Sequence, residues 1–479
     1  METQALEKTF ATHDEFNRKP IAENIIRLLT SPIDLSPMVI DGGWGTGKTE
    51  FCQKLIRLME QQQLNYQPVY IDAFRSDHSG EPLLALLAEI IKTCTPEDTD
   101  GQPSEKRKNI TRKVARAAGF VMKTVAKAAV GHVLKQNLED LEEGMSQIIN
   151  DGQEAKNAAA TVAGAATTLA SHSIDVTIDA TVEALLKEQI EAEKNLETLK
   201  ACLKELAADK PIILFIDELD RCRPDYAVDM LEVIKHVFDI ENVKVVLVTN
   251  TKQLCAAINH RYGAEVDAQK YLDKFLKYSF ALPEKVVAQT EQDRVWVSIH
   301  HFGQLIKGCD IGEVLFSGYR VMECINEMIK RNNLSLRETE RLVRFLEIYH
   351  SLSNGFGARN ESVLWIRVVG VFIFCFYPSL MDDINKNRTD AGEFAQLFNL
   401  QSWPDMPDDF YDVKEVDVIA MMLILNSKIE DSRFTLLKSD EKHYWQTQID
   451  RYFGREAINW GLSVLKNTFR VLSLEQIPK

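Results

Sequence analysis

Short apolar runs and amphipathic stretches alternate along the first hundred residues. Met38 to Ile40 is an apolar run closed by Asp41 and a glycine-rich stretch, and it predicts a buried strand. Phe51 to Met59 then repeats apolar residues at helical spacing. Ahead of both, Ile21 to Leu29 predicts a short amphipathic helix entered through Pro20. Gln67 to Phe74 predicts a second buried strand, Arg75 to Gly80 a polar turn, and Pro82 opens a helix over Leu83 to Cys94. The alternation resumes at Pro211. Ile212 to Ile216 predicts a central strand ending in Asp217-Glu218, Tyr226 to Phe238 a helix, and Val243 to Asn250 a further strand. Strand and helix in turn imply an α/β fold, a parallel sheet sandwiched by helices.

From residue 284 onward the pattern reads as helical throughout, with apolar segments at Val295 to Phe302, Val321 to Lys330, Leu342 to Leu352, Val363 to Tyr377, Val418 to Leu425 and Trp460 to Leu472. Trp296, Trp365, Trp403, Trp445 and Trp460 favour a packed core there. Ser402 to Tyr411 is a polar, proline-bearing loop with an acidic patch. His300-His301 belongs to no metal-ligand spacing, and a buried histidine pair is expected. The longest uncharged apolar run, Val368 to Tyr377, is bounded by Arg367 and Pro378 and predicts a core helix rather than a membrane span.

The stretch from 95 to 209 interrupts the α/β pattern. It opens with a polar loop, Thr95 to Pro103. Ser104 to Gln136 then holds nine Lys or Arg against Glu105. Arg112, Arg116, Lys123 and Lys127 fall on one helical face, and Val114, Ala118, Val121, Val125 and His132 on the other. A basic amphipathic helix of this kind suits an anionic membrane, a nucleic-acid backbone, an acidic partner or the acidic remainder of its own chain. Asn157 to Ala170 is a low-complexity run of small residues, and Val182 to Leu206 a long helix with a Leu/Ile stripe. The resulting domain plan is 1–94 and 210–283 as two parts of one α/β core, 95–209 as a helical insertion, 284–350 as a helical lid and 351–479 as a helical C-terminal domain.

The candidate chemistry sits at the strand ends. Gly42, Gly47, Lys48 and Thr49 fit the G-x-x-x-x-G-K-[ST] phosphate loop between a strand and a helix. Glycines let successive backbone N–H groups turn toward one anion, and the helix adds its positive N-terminal end. The binding stretch is Gly42, Gly43, Trp44, Gly45, Thr46, Gly47, Lys48, Thr49 and Glu50. Lys48 is expected on the β- and γ-phosphates of ATP, and the Thr49 hydroxyl on Mg²⁺. Asp217, an acid at the end of a buried strand, takes the Mg²⁺-holding position. Glu218 points the other way and suits a general base for the attacking water, with Asp220 a second acid. Asn250, at the end of the next strand, can read the γ-phosphate as a sensor, with Thr249 the neighbouring alternative.

Composition bounds the picture. The 479 residues carry a net charge of −15, which argues against a protein that coats nucleic acid or anionic membrane as a whole. The eight cysteines form no C-x-x-C pair, so neither a zinc ribbon nor a disulfide framework is expected, and the usage fits a reducing cytoplasm. No nuclease, protease or deaminase constellation is present.

Gly43-Trp-Gly-Thr-Gly-Lys-Thr49, Tyr70-Ile-Asp-Ala-Phe74, Phe215-Ile-Asp-Glu-Leu-Asp-Arg-Cys222, and Tyr271 to Leu276 followed by Phe280-Ala-Leu-Pro283 stand in the order of signatures found in the KAP P-loop NTPases. The chain resembles that family over about residues 14 to 350, the insertion excepted. The resemblance implies an additional-strand P-loop NTPase with a helical insertion and an all-α C-terminal region. It implies a Mg²⁺-dependent ATPase whose cycle drives a conformational or assembly switch, with a role in prokaryotic anti-phage defence. Leu336 to Phe345 looks like the family's helical-lid arginine motif, which places Arg337 on the γ-phosphate. Arg221, Arg223 and Arg261 are candidates for an arginine finger acting on a neighbouring subunit. A homo-oligomer, a separately encoded effector protein, and a membrane or nucleic-acid contact through 104–136 are the expected partners. The location expected is cytoplasmic or membrane-peripheral. Nucleotide-switched membrane scaffolding and nucleic-acid-stimulated hydrolysis are the alternatives.

Overall fold

The computed structural model describes residues 9–95, 109–114, 196–287, 294–317, 319–353, 361–406, 413–425, 427–434, 439–454 and 457–475, with 107, 194 and 356. Most of the basic stretch 104–136, the small-residue run 157–170 and the start of the helix predicted from Val182 lie outside the described residues. Two compact units emerge. One comprises Ala22–Asp41 and Cys52–Phe280; the other comprises Met1–Ile21, Gly42–Phe51 and Ala281–Lys479.

The first unit is built on a five-stranded sheet. Its strands are β1 (Met38–Asp41), β2 (Gln67–Asp72), β3 (Ile212–Asp217), β4 (Val243–Thr249) and β5 (Tyr278–Ala281), in the order β2-β3-β4-β1-β5. The pairs β2 with β3, β3 with β4 and β4 with β1 are parallel. All six residues of β3 are buried. A strand covered on both faces needs a continuous apolar run, which Ile212 to Ile216 supplies. The added strand β4 separates the strand before the glycine loop from the strand that ends in Asp217. The flanking helices include α1 (Lys19–Thr30), α2 (Lys48–Gln61), α3 (Pro82–Cys94), α4 (Pro224–Val237), α5 (Thr251–Tyr262) and α6 (Ala268–Asp273). Leu83, Leu86, Leu87 and Ile90 of α3 join Val69, Ile71, Leu214 and Ile216 of the sheet in one core. β2 is shorter than its apolar pattern predicts. Asp72 accepts the Arg75 N–H, caps a helical turn Ala73–Ser76 and so ends the strand two residues before Phe74; the predicted polar turn is helical. In the described part of the insertion, Ile110 and Val114 are buried while Arg112 and Lys113 are exposed. Lys113 Nζ lies 4.0 Å from Glu205, an exposed pair worth little.

The second unit is mainly helical and has its own core, spread over α7 (Val297–Lys307), α8 (Asp310–Ser317), α9 (Tyr319–Arg331), α10 (Leu336–Leu352), α11 (Glu361–Phe376), α12 (Pro378–Asn385), α13 (Ala391–Leu397), α14 (Glu415–Ile424), α15 (Ser439–Phe453) and α16 (Ala457–Leu472). The apolar run at its centre is a core helix, as its bounding Arg367 and Pro378 imply: eleven residues of α11 are buried. Among the described residues no single helix is long and apolar enough to cross a membrane. The all-helical reading beyond 284 needs one correction. Lys285–Val287 and Arg294–Trp296 pair as an antiparallel ribbon, β6 and β7. Three-residue strands are too short to set a period, but β-branched Val286, Val287 and Val295 favour the extended form. The histidine pair also divides. His301 is buried and His300 is not.

Candidate functional site

The glycine loop, with Gly45 at φ +72° and Gly47 at φ +82°, adopts backbone that side chains rarely take. Space forbids a larger residue as well. A Cβ on Gly45 would lie 2.8 Å from Ser335 Oγ and 3.2 Å from Arg337 Cβ. The start of α10 is therefore seated on the loop. Leu336 N–H donates to the Gly45 carbonyl at 3.0 Å. Ser335 caps the helix by accepting the Glu338 N–H at 3.3 Å, while Glu338 accepts the Ser335 N–H at 2.8 Å. Arg337 thus stands beside Gly45, on the helical turn that meets the loop.

Lys48 is buried and donates to the carbonyls of Gly42 at 2.6 Å and Gly43 at 2.9 Å. Thr46 Oγ1 donates to Gly43 O at 2.9 Å. Thr49 lies half-buried in the first turn of α2, and Glu50 beside it is exposed with His13 3.8 Å away. Trp44 is 51% exposed.

Arg18 was not singled out by the sequence pattern. It is 6% exposed, and both its Nη atoms donate to the Thr46 carbonyl at 3.3 Å. Its guanidinium lies 4.7 Å over the Phe16 ring. Burial lowers its pKa to about 10 against the opposing pull of Glu50, Asp14 and Glu15, so it stays charged at neutral pH. In the sequence it is one arginine before a helix-opening Lys19-Pro20, with nothing to mark it off from a surface residue.

In the sheet-bearing unit the carboxyl ends of the strands gather acids, the end of an open α/β sheet at which ligands bind. Asp72 is the register partner of Asp217 on the neighbouring strand. Asp217 is 1% exposed; its Oδ1 accepts the Glu218 N–H at 2.8 Å, and its Oδ2 accepts the Tyr70 hydroxyl at 3.0 Å. Glu218 has φ +59° and ψ +24°, a left-handed backbone costing on the order of 1–2 kcal/mol for a residue with a Cβ. That turn directs its carboxylate to Arg221, 3.0 Å away. Burial raises the Glu218 pKa; Arg221 opposes this, and Asp217, Asp72 and Asp220 reinforce it. A carboxyl raised from its usual range by burial and like charge is suited to accept a proton.

Thr249 is fully buried at the end of β4 and donates to Asp220 Oδ1 at 3.1 Å. Asn250 caps α5, accepting the Lys252 N–H at 3.2 Å. The polar side chain aligned with the acids at the end of the added strand is thus Thr249. The three finger candidates are each paired within the chain: Arg221 with Glu218, Arg223 with Asp77, and Arg261 with Asp225 and Asp229.

The residues suit a nucleotide with a hard cation. Thr49 in the one unit offers a hydroxyl and Asp217 in the other a carboxylate, each an oxygen donor of the kind Mg²⁺ takes. Gly45 and Gly47, both at positive φ, give the loop the curled backbone that turns N–H groups toward an anion. Among the described residues no cluster of His, Cys, Asp and Glu offers a site for another metal.

The model of the KAP family P-loop domain matches residues 18–353. The chain belongs to this family. The KAP match begins at Arg18 and takes in the glycine loop, the acidic strand ends, Ser335 and Arg337, and it leaves residues 354–479 outside. A relative, the phage T7 exclusion protein of Escherichia coli (strain K12), is 22% identical over 273 residues, 56% of this chain and 33% of that protein. The chain therefore spans about a third of that relative's length. The Aeropyrum pernix ORC2 protein, solved as ADPNP–ADP complexes, aligns over 96% of this KAP chain and 95% of its own at 11% identity and a TM-score of 0.29, a likeness that bears on neither fold nor ligand.

Proposed function

We propose that this KAP P-loop protein is a Mg²⁺-dependent ATPase whose nucleotide cycle drives a conformational or assembly switch, used in defence against phage. The observation that carries the hydrolytic reading is Glu218: a carboxyl with raised pKa, held beside Arg221 by a left-handed turn, directly after the buried acid Asp217 on a central strand.

In this reading the glycine loop binds the phosphates through its N–H groups, and Lys48 exchanges its loop carbonyls for β- and γ-phosphate oxygens. Thr49 and Asp217 are the proposed oxygen donors to Mg²⁺. Bound Mg²⁺ would supply neutralisation of phosphate charge. Glu218 takes the proton of the attacking water, Thr249 or Asn250 orients that water, and Arg337 reads the γ-phosphate. The chain displays no second catalytic constellation among the described residues, which favours work on its own conformation or on a separately encoded effector. The relative named for phage T7 exclusion favours the defence role.

Phosphate release from ATP by the purified chain tests the enzyme reading. Activity should require Mg²⁺, and Lys48→Ala should abolish nucleotide binding. Glu218→Gln should retain binding and lose about 10²- to 10⁴-fold in turnover. Full turnover in Glu218→Gln refutes the assignment of the base. For defence, cells expressing the chain should resist phage, and both variants should lose that resistance.

A further inference from the structure

A cavity of about 620 Å³ opens beyond the carboxyl end of β2, lined by Asp72, Phe74, Arg75, Asp77, His78 and Arg223. Its volume suits a ligand of nucleotide size. None of the glycine loop contributes to it.

Its polar groups are the carboxylates of Asp72 and Asp77, the guanidinium groups of Arg75 and Arg223, and His78. Asp77 is buried, and Arg223 covers it: Arg223 N–H and Nε donate to its carboxylate at 3.1 and 3.0 Å, and Nη2 to its carbonyl at 2.6 Å. The Arg223 side chain is nonetheless 64% exposed, with Nη1 outside these bonds. Asp72 is engaged by the Arg75 N–H at 2.9 Å. The Arg75 guanidinium is exposed and has no ion pair among the described residues. Phe74 is 49% exposed and meets no other ring among the described residues. Leaving a phenyl ring half in water forgoes part of the roughly 1.5–3 kcal/mol that full burial gives, which a stacked ligand would recover.

We propose that this cavity binds a nucleotide, its base stacked on Phe74 and its phosphate bonded to Arg75 and Arg223 Nη1. The nucleotide comes either from a single strand of nucleic acid or free from solution. Stacking on an aromatic ring with a cation at the phosphate is sequence-tolerant recognition. The site goes beyond the hydrolytic reading and stands without it. It also bears on that reading, because Asp72 at the cavity wall is in register with Asp217 and acts on the charge of Glu218.

Fluorescence anisotropy of the full chain with labelled oligothymidylate and oligouridylate of about 20 nucleotides, at about 50 mM salt, tests it. Binding should persist in Lys48→Ala, which separates this site from the glycine loop. Phe74→Ala should weaken binding about 5- to 100-fold at unchanged salt dependence. Arg75→Ala should weaken it too and lower the slope of log K against log salt by about 1. Circular dichroism checks that both variants fold. Competition by thymidine monophosphate assigns the site to free nucleotide; strand binding without competition assigns it to nucleic acid. Two results overturn the proposal: no binding of strand or mononucleotide by the wild type, or unchanged binding by the Phe74→Ala/Arg75→Ala double variant. In the second case, a change in assembly mass of the double variant makes the cavity a contact between copies.

Discussion

Arg221 Nη1 stands 3.0 Å from Glu218 Oε2, across the turn by which the chain leaves β3. Burial raises the Glu218 pKa, Arg221 restrains that rise, and three nearby aspartates add to it. Removing Arg221 therefore lifts the pKa further. A general base works as the carboxylate, so turnover falls as pH drops through that value. Arg221→Ala should move the acidic limb of the kcat profile to higher pH, and Arg221→Lys should leave it close to wild type. A limb that stays in place in Arg221→Ala would show that the pair does not set the basicity of Glu218.

The seating of Ser335 on Gly45 gives a second expectation. Gly45→Ala forces a methyl group to within 2.8 Å of Ser335 Oγ on backbone already at φ +72°. The strain is on the order of 1–2 kcal/mol before any repacking. Ser335→Ala removes the cap of α10 at a cost of about 1 kcal/mol. Both should lower the urea midpoint, and Gly45→Ala should weaken ATP binding the more, by roughly tenfold or greater. Unchanged affinity in Gly45→Ala would argue that the loop's shape is independent of α10.

Arg18 holds the loop through a carbonyl and does not need to meet the reacting atoms. Arg18→Ala removes a charged donor from the part-buried Thr46 carbonyl, which costs about 1.5–3 kcal/mol. Its expected signature is a rise of about 5- to 100-fold in KM for ATP with a smaller change in kcat. Arg18→Lys, with one head group in place of a fork, should restore part of the loss. A fall confined to kcat would instead make Arg18 a participant in the chemistry.

His301 Nδ1 lies 2.7 Å from Glu15 and Nε2 lies 3.4 Å from Glu340. Burial pushes the His301 pKa down, but the hydrogen bond and charge of Glu15, with Glu340, leave it above its ordinary 6.5. Burial pushes Glu15 up, and the hydrogen bond and charge of His301 more than offset that, leaving it below its ordinary 4.5. The histidine's contribution to stability is complete below 6.5 and fades as pH rises through its raised value; the glutamate's is complete above 4.5 and fades as pH falls through its lowered one. Thermal melts should show the wild type losing stability above about pH 6.5 relative to His301→Gln. Parallel pH profiles for the two proteins would exclude this pair as the cause.

Legibility in the sequence followed the range of the forces involved. The strands β1, β3 and β4 were plain because burial on both faces writes a continuous apolar run into local sequence. The loop was plain because its backbone demands glycine at fixed places. Other features depend on partners far along the chain. Arg18 meets Thr46 through folding alone, and the ribbon of Val286 and Val295 is too short to carry a period. Asn250 and Thr249 show the intermediate case. The end of β4 could be read, but which of the two side chains turns toward Asp220 and which caps a helix is decided by the backbone at one residue.

The hydrogen bond from Leu336 to Gly45 joins two residues of one compact unit that lie far apart in the sequence. Contacts so remote in sequence form only after their loop-closure entropy has been met. A growing chain can complete the parallel strands β1 to β4 well before α10 exists. The glycine loop, which shares a compact unit with residues beyond 281, gains its support only when Ser335 and Leu336 have been made. A chain terminated before Ser335 would therefore carry the phosphate-binding motif without the contacts from α10 that support its shape.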